Sequence, residues 1–391
     1  MQKIFYGKHF LDEDDIASVV DVLRNGALTQ GPKVEAFENQ VAQYVGAKYA
    51  VAVSNGTAAL HIACLAANLN EESVVVTSPI TFVASANCAQ YVGAETQFSD
   101  IDPETLNMSP EALRQTCHTL KKVSAIIPVH FGGLPCDMPA ISKIAQENGA
   151  VVIEDASHAL GGLYADGSRV GNCKYSSMTV FSFHPVKIIA AGEGGMITTN
   201  DEKLYKKLLR LRSHGINKLD DQFQLDDMAT THGKTNPWYY EMQELGFNYR
   251  ITDIQSALGS SQMNKIDRFL ARRKEIAARY DQAFAGHAQI KPCQSAWRDQ
   301  SALHLYVVRI AFSERLTRQQ VMTKLSEAGI HCQVHYIPVH LQPYYLHQGF
   351  AAGNYPVAEQ YYAQALSLPE YYGLESHQQE YVIDTLNKVL M

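Results

Sequence analysis

The segment Lys48–Leu69, KYAVAVSNGTAALHIACLAANL, decides the fold. It begins with a near-continuous Ala/Val run, the mark of a strand covered on both faces. After Ser54-Asn55 the pattern changes, and GTAALHIACLAANL reads as a helix. A buried strand that passes straight into a helix is one unit of an α/β chain. Working outward, VEAFENQVAQYVG reads as a preceding helix. The strand candidates SVVVTS, ETQFSD, SAIIPVHF, AVVIEDAS, MTVFSF and GMITTN follow, with helical stretches such as MPAISKIAQENG between several of them. Their Val/Ile/Ala runs predict a largely parallel sheet between helix layers, an α/β domain over residues 31–265.

Residues 215–244 are polar and irregular and read as a long excursion. SALGSSQMNKIDRFLARRKEIAARYDQAF reads as one helix. HLYVVRIAF then reads as a strand, RQQVMTKLSEAG as a helix, HCQVHYIP as a strand and SHQQEYVIDTLNKVL as a terminal helix. This second pattern predicts a small C-terminal α+β domain over 266–391, with residues 1–30 packing beside it and near the site.

Composition narrows the function classes. The 391-residue chain is 46% hydrophobic and 19% charged, which suits a soluble protein with a sizeable interior. A net charge of −7 without a basic block argues against nucleic acid as the main partner. No apolar run approaches the roughly 20 residues that cross a bilayer. MQKIFYGKHFLDEDD lacks the apolar core of a secretory signal. The seven cysteines form no CxxC pair and fit reduced thiols. A cytoplasmic protein without a membrane partner is expected.

In an open α/β sheet, ligands bind beyond the carboxyl ends of the strands, and three features fall at such ends. In SNGTAAL, Gly56 lets the backbone approach a ligand, Thr57 offers a hydroxyl, and a helix N-terminus faces an anion. An ordinary cap with a turn glycine is the better explanation of this stretch when it stands alone. In VVIEDASHALGG, Asp155 ends an apolar strand, with His158 three residues on. A carboxylate there needs a cation or hydrogen bonds. In FSFHPVKIIAAGEGG, Lys187 follows a strand whose exit carries Ser182 and His184, and a tight glycine run comes next. Singly, each residue has a bland reading as a turn cap, a structural histidine or a solvated lysine. Together they supply what pyridoxal 5′-phosphate requires: a phosphate cup, an acid for the pyridinium nitrogen and an amine for the aldehyde. Phe82, in SPITFVAS, could stack on the ring, or could equally be a core residue.

Two metal readings are set aside. In HCQVHYIPVH, strand geometry turns Cys332 away from His331 and His335, and Pro338 intervenes before His340. SDIDPETLNMSPE spaces its acids like a calcium loop, but Thr105 stands where that loop needs glycine.

The set SNGTAAL, TFVAS, IEDASHALGG, FSFHPVKIIAAGEGG and GFNYRITDIQSALG resembles the DegT/DnrJ/EryC1/StrS family of sugar-nucleotide aminotransferases, which has the aspartate-aminotransferase fold (fold type I). The resemblance covers essentially the whole chain. It implies that Lys187 is the Schiff-base lysine, that Asp155 partners the pyridine nitrogen and that His158 lies beside the ring hydroxyl. Gly56, Thr57 and Ser182 are implied at the phosphate. Asn248 is implied to reach the active site of a neighbouring subunit, so a homodimer is expected. Tyr6, the segment Gly26, Ala27, Leu28 and Thr29, and the segment Gln333, Val334, His335 and Tyr336 are implied as sugar-nucleotide contacts. The implied partners are a UDP-linked 4-keto-6-deoxy amino sugar and L-glutamate. Two other classes share the fold. Related dehydratases replace the lysine with histidine, and a regulator would lack Lys187 or Asp155 or carry a DNA-binding segment.

Overall fold

A computed structural model describes residues 3–217 and 223–391, so residues 218–222 of the expected excursion lie outside the described residues. The main sheet has seven strands: β1 (Tyr49–Val53), β2 (Val74–Thr77), β3 (Glu95–Phe98), β4 (Ala125–Ile127), β5 (Val151–Asp155), β6 (Met178–Ser182) and β7 (Gly195–Thr199). Their order is β1-β7-β6-β5-β4-β2-β3. Neighbours from β6 to β3 run parallel, whereas β7 runs antiparallel to both β1 and β6.

The unbroken apolar runs now have their cause. Val51 and Val53 pack on one face with Ile153, Val180 and Ile197, under the helices Gly56–Ala66 and Glu202–Arg212. Ala50 and Ala52 alternate to the other face with Val152, Phe181 and Met196, under Pro32–Val45 and Met138–Glu147. A period of two with both faces dry leaves no polar position to alternate with.

A smaller antiparallel sheet joins β8 (Ile290–Pro292), β9 (Tyr306–Ile310) and β10 (Ala365–Leu368). Its core takes side chains from the helices Ile266–Ala283, Arg318–Glu327 and Ser376–Leu390. The N-terminal segment joins here: Ile4–Phe5 pairs in parallel with Ile330–His331.

Three expectations are corrected. The helix read over 256–284 is two helices, Asp253–Met263 and Ile266–Ala283, interrupted at Asn264-Lys265. The ammonium of Lys265 is tied there to Asp12 and, at 2.9 Å, to Asp15, so the break serves an ion pair with the N-terminal segment. The strand expected over HCQVHYIP stops at His331, and only Gln333 bridges onward, to Ser367. The excursion carries short pieces of structure, including the hairpin Thr230–Thr231 with Lys234–Thr235, and the pairing of Glu241–Met242 with Ile216–Asn217. In the calcium-like stretch, the Asp100 carboxylate accepts from the Val357 and Ala358 N–H groups, both at 3.0 Å, and so caps the helix Pro356–Gln364. Among the described residues, no helix is long and apolar enough to cross a membrane.

Candidate active site

The carboxyl ends of β1, β5 and β6 and the reversed start of β7 meet at one sheet edge, where a cleft of about 890 Å³ opens. Gly56, Thr57, Phe82, Asp155, His158, Ser182 and Lys187 all line it, as do Tyr6, Gln333, Val334, His335 and Tyr336. Two expected groups do not line the cleft of their own chain. Gly26–Thr29 is exposed beyond the helix Glu13–Asn25, and Asn248 bridges Ser213 just before the cleft-lining Tyr249.

The anion cup is built by close packing. Asn55 caps the helix Gly56–Ala66, its side chain accepting from the Ala58 N–H at 2.8 Å. A Cβ on Gly56 would stand 3.0 Å from the Ser182 Cβ and 3.3 Å from its Oγ, so glycine is what lets the helix end meet β6. A Cβ on Gly195 would lie 2.4 Å from the Asn55 carbonyl oxygen, which explains one glycine of GEGG. Among the described residues, the hydroxyls of Thr57, Ser157 and Ser182 have no hydrogen-bond partner. They converge with the helix N-terminus and its free N–H groups, an arrangement that suits a phosphate.

Asp155 is 5% exposed at the end of β5. Ser85 Oγ donates to its Oδ2 at 2.6 Å and the Ser157 N–H to its Oδ1 at 3.0 Å, while Thr81 Oγ1 lies 2.6 Å from Ser85 Oγ. Nothing in the TFVAS pattern marks Ser85 as the residue that orients the acid. Its chain neighbour Glu154 points to the opposite face, into a buried network with His130 (2.7 Å), Tyr164 (2.7 Å) and Ser176 (2.5 Å).

Burial pulls the Lys187 amine down to about 8, with the Asp155 carboxylate acting in the other direction. Among the described residues, no neighbouring cation contributes to this lowering. The surrounding imidazoles of His158, His304 and His335 are themselves held low, above all by burial, with Lys187 nearby adding to it and His335 at about 3. They are neutral rings, so desolvation does the work. His304 was missed from sequence. It is 4% exposed, its ring lies 4.4 Å from that of His158, and HLYVVRIAF shows it only as a polar residue beside a strand. Phe82, by contrast, leaves 59% of its surface exposed at the cleft. Among the described residues, no group of three or more His, Cys, Asp or Glu is placed to hold a metal ion.

Comparisons with known proteins agree with this geometry. The DegT/DnrJ/EryC1/StrS aminotransferase family model matches residues 9–387. The spore coat polysaccharide biosynthesis protein SpsC of Bacillus subtilis is 37% identical, over 98% of this chain and 96% of its own. A UDP-4-amino-4,6-dideoxy-N-acetyl-beta-L-altrosamine transaminase of Campylobacter jejuni is 33% identical, over 99% and 97% respectively. Among solved structures, Helicobacter pylori PseC, an aminotransferase involved in pseudoaminic acid biosynthesis, superposes with a TM-score of 0.88 at 29% identity, covering 99% of both chains. With the whole length matched and the lysine, acid and phosphate cup at one sheet edge, the chain belongs to the DegT/DnrJ/EryC1/StrS aminotransferase family.

Proposed function

We propose that this chain transfers the amino group of L-glutamate to the 4-keto carbon of UDP-2-acetamido-2,6-dideoxy-β-L-arabino-hex-4-ulose. The products would be 2-oxoglutarate and UDP-4-amino-4,6-dideoxy-N-acetyl-β-L-altrosamine, a step of pseudaminic acid biosynthesis. One observation carries the transamination: a desolvated Lys187 faces a hydrogen-bonded Asp155 across a cleft that ends in a helix N-terminus. The choice of sugar is supported by the Campylobacter relative and the Helicobacter structure. The greater identity to SpsC favours a second reading, in which the acceptor is another UDP- or dTDP-linked 4-ketosugar.

The family uses pyridoxal 5′-phosphate, and the residues present fit it, since the close approach at Gly56 opens the cup and three free hydroxyls face it. When bound, the cofactor supplies a carbonyl carbon that carries the amino group and a ring that draws electrons from the reacting carbon. The N-terminal turn of Gly56–Ala66, with Thr57, Ser157 and Ser182, would hold its phosphate. Asp155, oriented by Ser85, would keep a proton on the ring nitrogen, and the exposed Phe82 would cover one ring face. Lys187 Nζ, largely uncharged once pH passes about 8, would take a proton from the reacting carbon and return it. The neutral His158, His304 and His335 would leave Lys187 the one group among them ready to take up a proton. Tyr6 and residues 333–336 would line the sugar side.

A homodimer belongs to the same reading. Tyr91, Trp238, Tyr240, Met242 and Leu245 are exposed apolar side chains, and Asn248 lies outside its own cleft. The decisive experiment gives the purified protein glutamate and a panel of UDP- and dTDP-4-ketosugars and follows amino-sugar formation. Turnover of another sugar without the β-L-arabino ketose would reject the specific assignment. A Lys187→Ala protein that still aminated any sugar would reject the role of the lysine.

A further inference from the structure

The Phe131–Gly133 turn reaches the site through both polar atoms of Gly132. Its N–H donates to His158 Nδ1 at 3.3 Å, and its carbonyl accepts from the His304 N–H at 2.9 Å and the Leu305 N–H at 3.2 Å. An amide N–H can only donate, so Nδ1 of His158 is the acceptor and the ring proton sits on Nε2. That Nε2 lies 3.2 Å from the Tyr336 hydroxyl, which must therefore accept. The hydroxyl's own proton has no acceptor among the described residues, although Tyr336 stands in the cleft wall and burial holds it in the protonated form.

The parts of this chain are fixed in place. The His158 and Tyr336 rings are 6.1 Å apart and 23° from parallel, with His304 packed against His158. Gly132 has φ +66°, and a Cβ there would meet Gln294 Oε1 at 3.1 Å. Gln294 in turn donates to the carbonyls of Thr105 (2.6 Å) and Phe131 (3.1 Å), which pins the turn.

We propose that Gly132, His158 and Tyr336 form a one-way donor chain that offers the Tyr336 hydroxyl proton to an electron-rich oxygen bound in the cleft. Gly132 and His158 are its positioning residues, and Tyr336 makes the contact. The inference rests on the aminotransferase reading. Two oxygens share the required chemistry: the phenolic oxygen of the cofactor and the keto oxygen of the sugar.

The test compares holoenzymes of the wild type, Tyr336→Phe, His158→Gln, His158→Leu and the double variant His158→Leu/Tyr336→Phe. Two quantities are read in each: the cofactor dissociation constant and kcat/KM for the aminated sugar. Tyr336→Phe removes one hydrogen bond to a ligand and is expected to change one of them about tenfold. A change in cofactor affinity assigns the chain to the cofactor oxygen; a change in kcat/KM alone assigns it to the sugar. His158→Gln keeps an acceptor for Gly132 and a donor for Tyr336, so it should recover most of what His158→Leu loses. The double variant should lose no more than His158→Leu, because both changes cut one chain. Nitrogen-15 spectra of the histidine rings should show His158 protonated on Nε2 alone. Three results would overturn the proposal: both quantities unmoved in Tyr336→Phe, losses that multiply in the double variant, or a proton on Nδ1. A wild type that binds cofactor but aminates no sugar would defeat the functional reading instead, and the cofactor constant and the spectra would then judge the chain.

Discussion

Lys187 shows how the burial of one amine ties its protonation to the stability of the fold. Its amine titrates near 8 in the folded protein against an ordinary value of 10.5. In the window between those values the unfolded chain binds more protons than the folded one, so the cofactor-free protein gains stability as pH rises. Below about 8 both states are charged and the folded state carries the full cost of the buried ammonium. Cofactor-free Lys187→Met should therefore resist urea better than the wild type at pH 7, with the gap narrowing towards pH 10; an advantage independent of pH would contradict this. Lys187 and Asp155 were legible in the sequence because an amine and an acid at strand ends are chemically out of place. Ser85 and His304 were not, since a serine at the start of a helix and a histidine before a strand carry no such tension. Only the folded chain shows Ser85 at 2.6 Å from the acid.

At the scale of elements, the site depends on how closely the helix Gly56–Ala66 approaches β6 and β7. Gly56→Ala places a methyl 3.0 Å from the Ser182 Cβ and should weaken cofactor binding more than it weakens the fold. A drop in affinity of about tenfold is expected by titration, with a loss of stability near 1 kcal/mol. Gly195→Ala meets backbone instead, at 2.4 Å from the Asn55 oxygen, and should cost stability outright, about 2 kcal/mol or more by chemical denaturation. The strands were readable because both faces of the sheet are dry, so their sequences are nearly all apolar. The helix break at Asn264-Lys265 was not, because its cause lies at Asp12 and Asp15, far away in the chain. The early end of the strand at His331 was hidden in the same way, since its partner is the N-terminal pair Ile4–Phe5.

For the molecule as a whole, the two sides of the main sheet divide the labour. Asp155 turns to the cleft, while Glu154 turns to a sealed cluster in which His130 and Glu154 are both 0% exposed. Burial alone would raise the Glu154 carboxyl, but its bonds from His130, Ser176 and Tyr164 outweigh that and hold it low. Glu154→Leu removes the acceptor shared by His130, Tyr164, Ser176 and Thr179 and should cost about 3 kcal/mol in denaturant unfolding. Any residual folded protein should still bind cofactor; a loss of binding at unchanged stability would contradict this separation. The exposed apolar side chains from Tyr91 to Leu245 predict twice the chain mass in light scattering, and a monomer at micromolar concentration would count against shared sites. The reversed strand β7 has one more consequence, for the order in which the protein assembles during synthesis. The cup beyond Val53 stays open until Gly195 pairs with it, while Ile4–Phe5, which leads into Tyr6, must wait for Ile330–His331. A growing chain can thus close the sheet edge around Asp155 and Lys187 well before the wall formed by Tyr6 and residues 333–336 is in place.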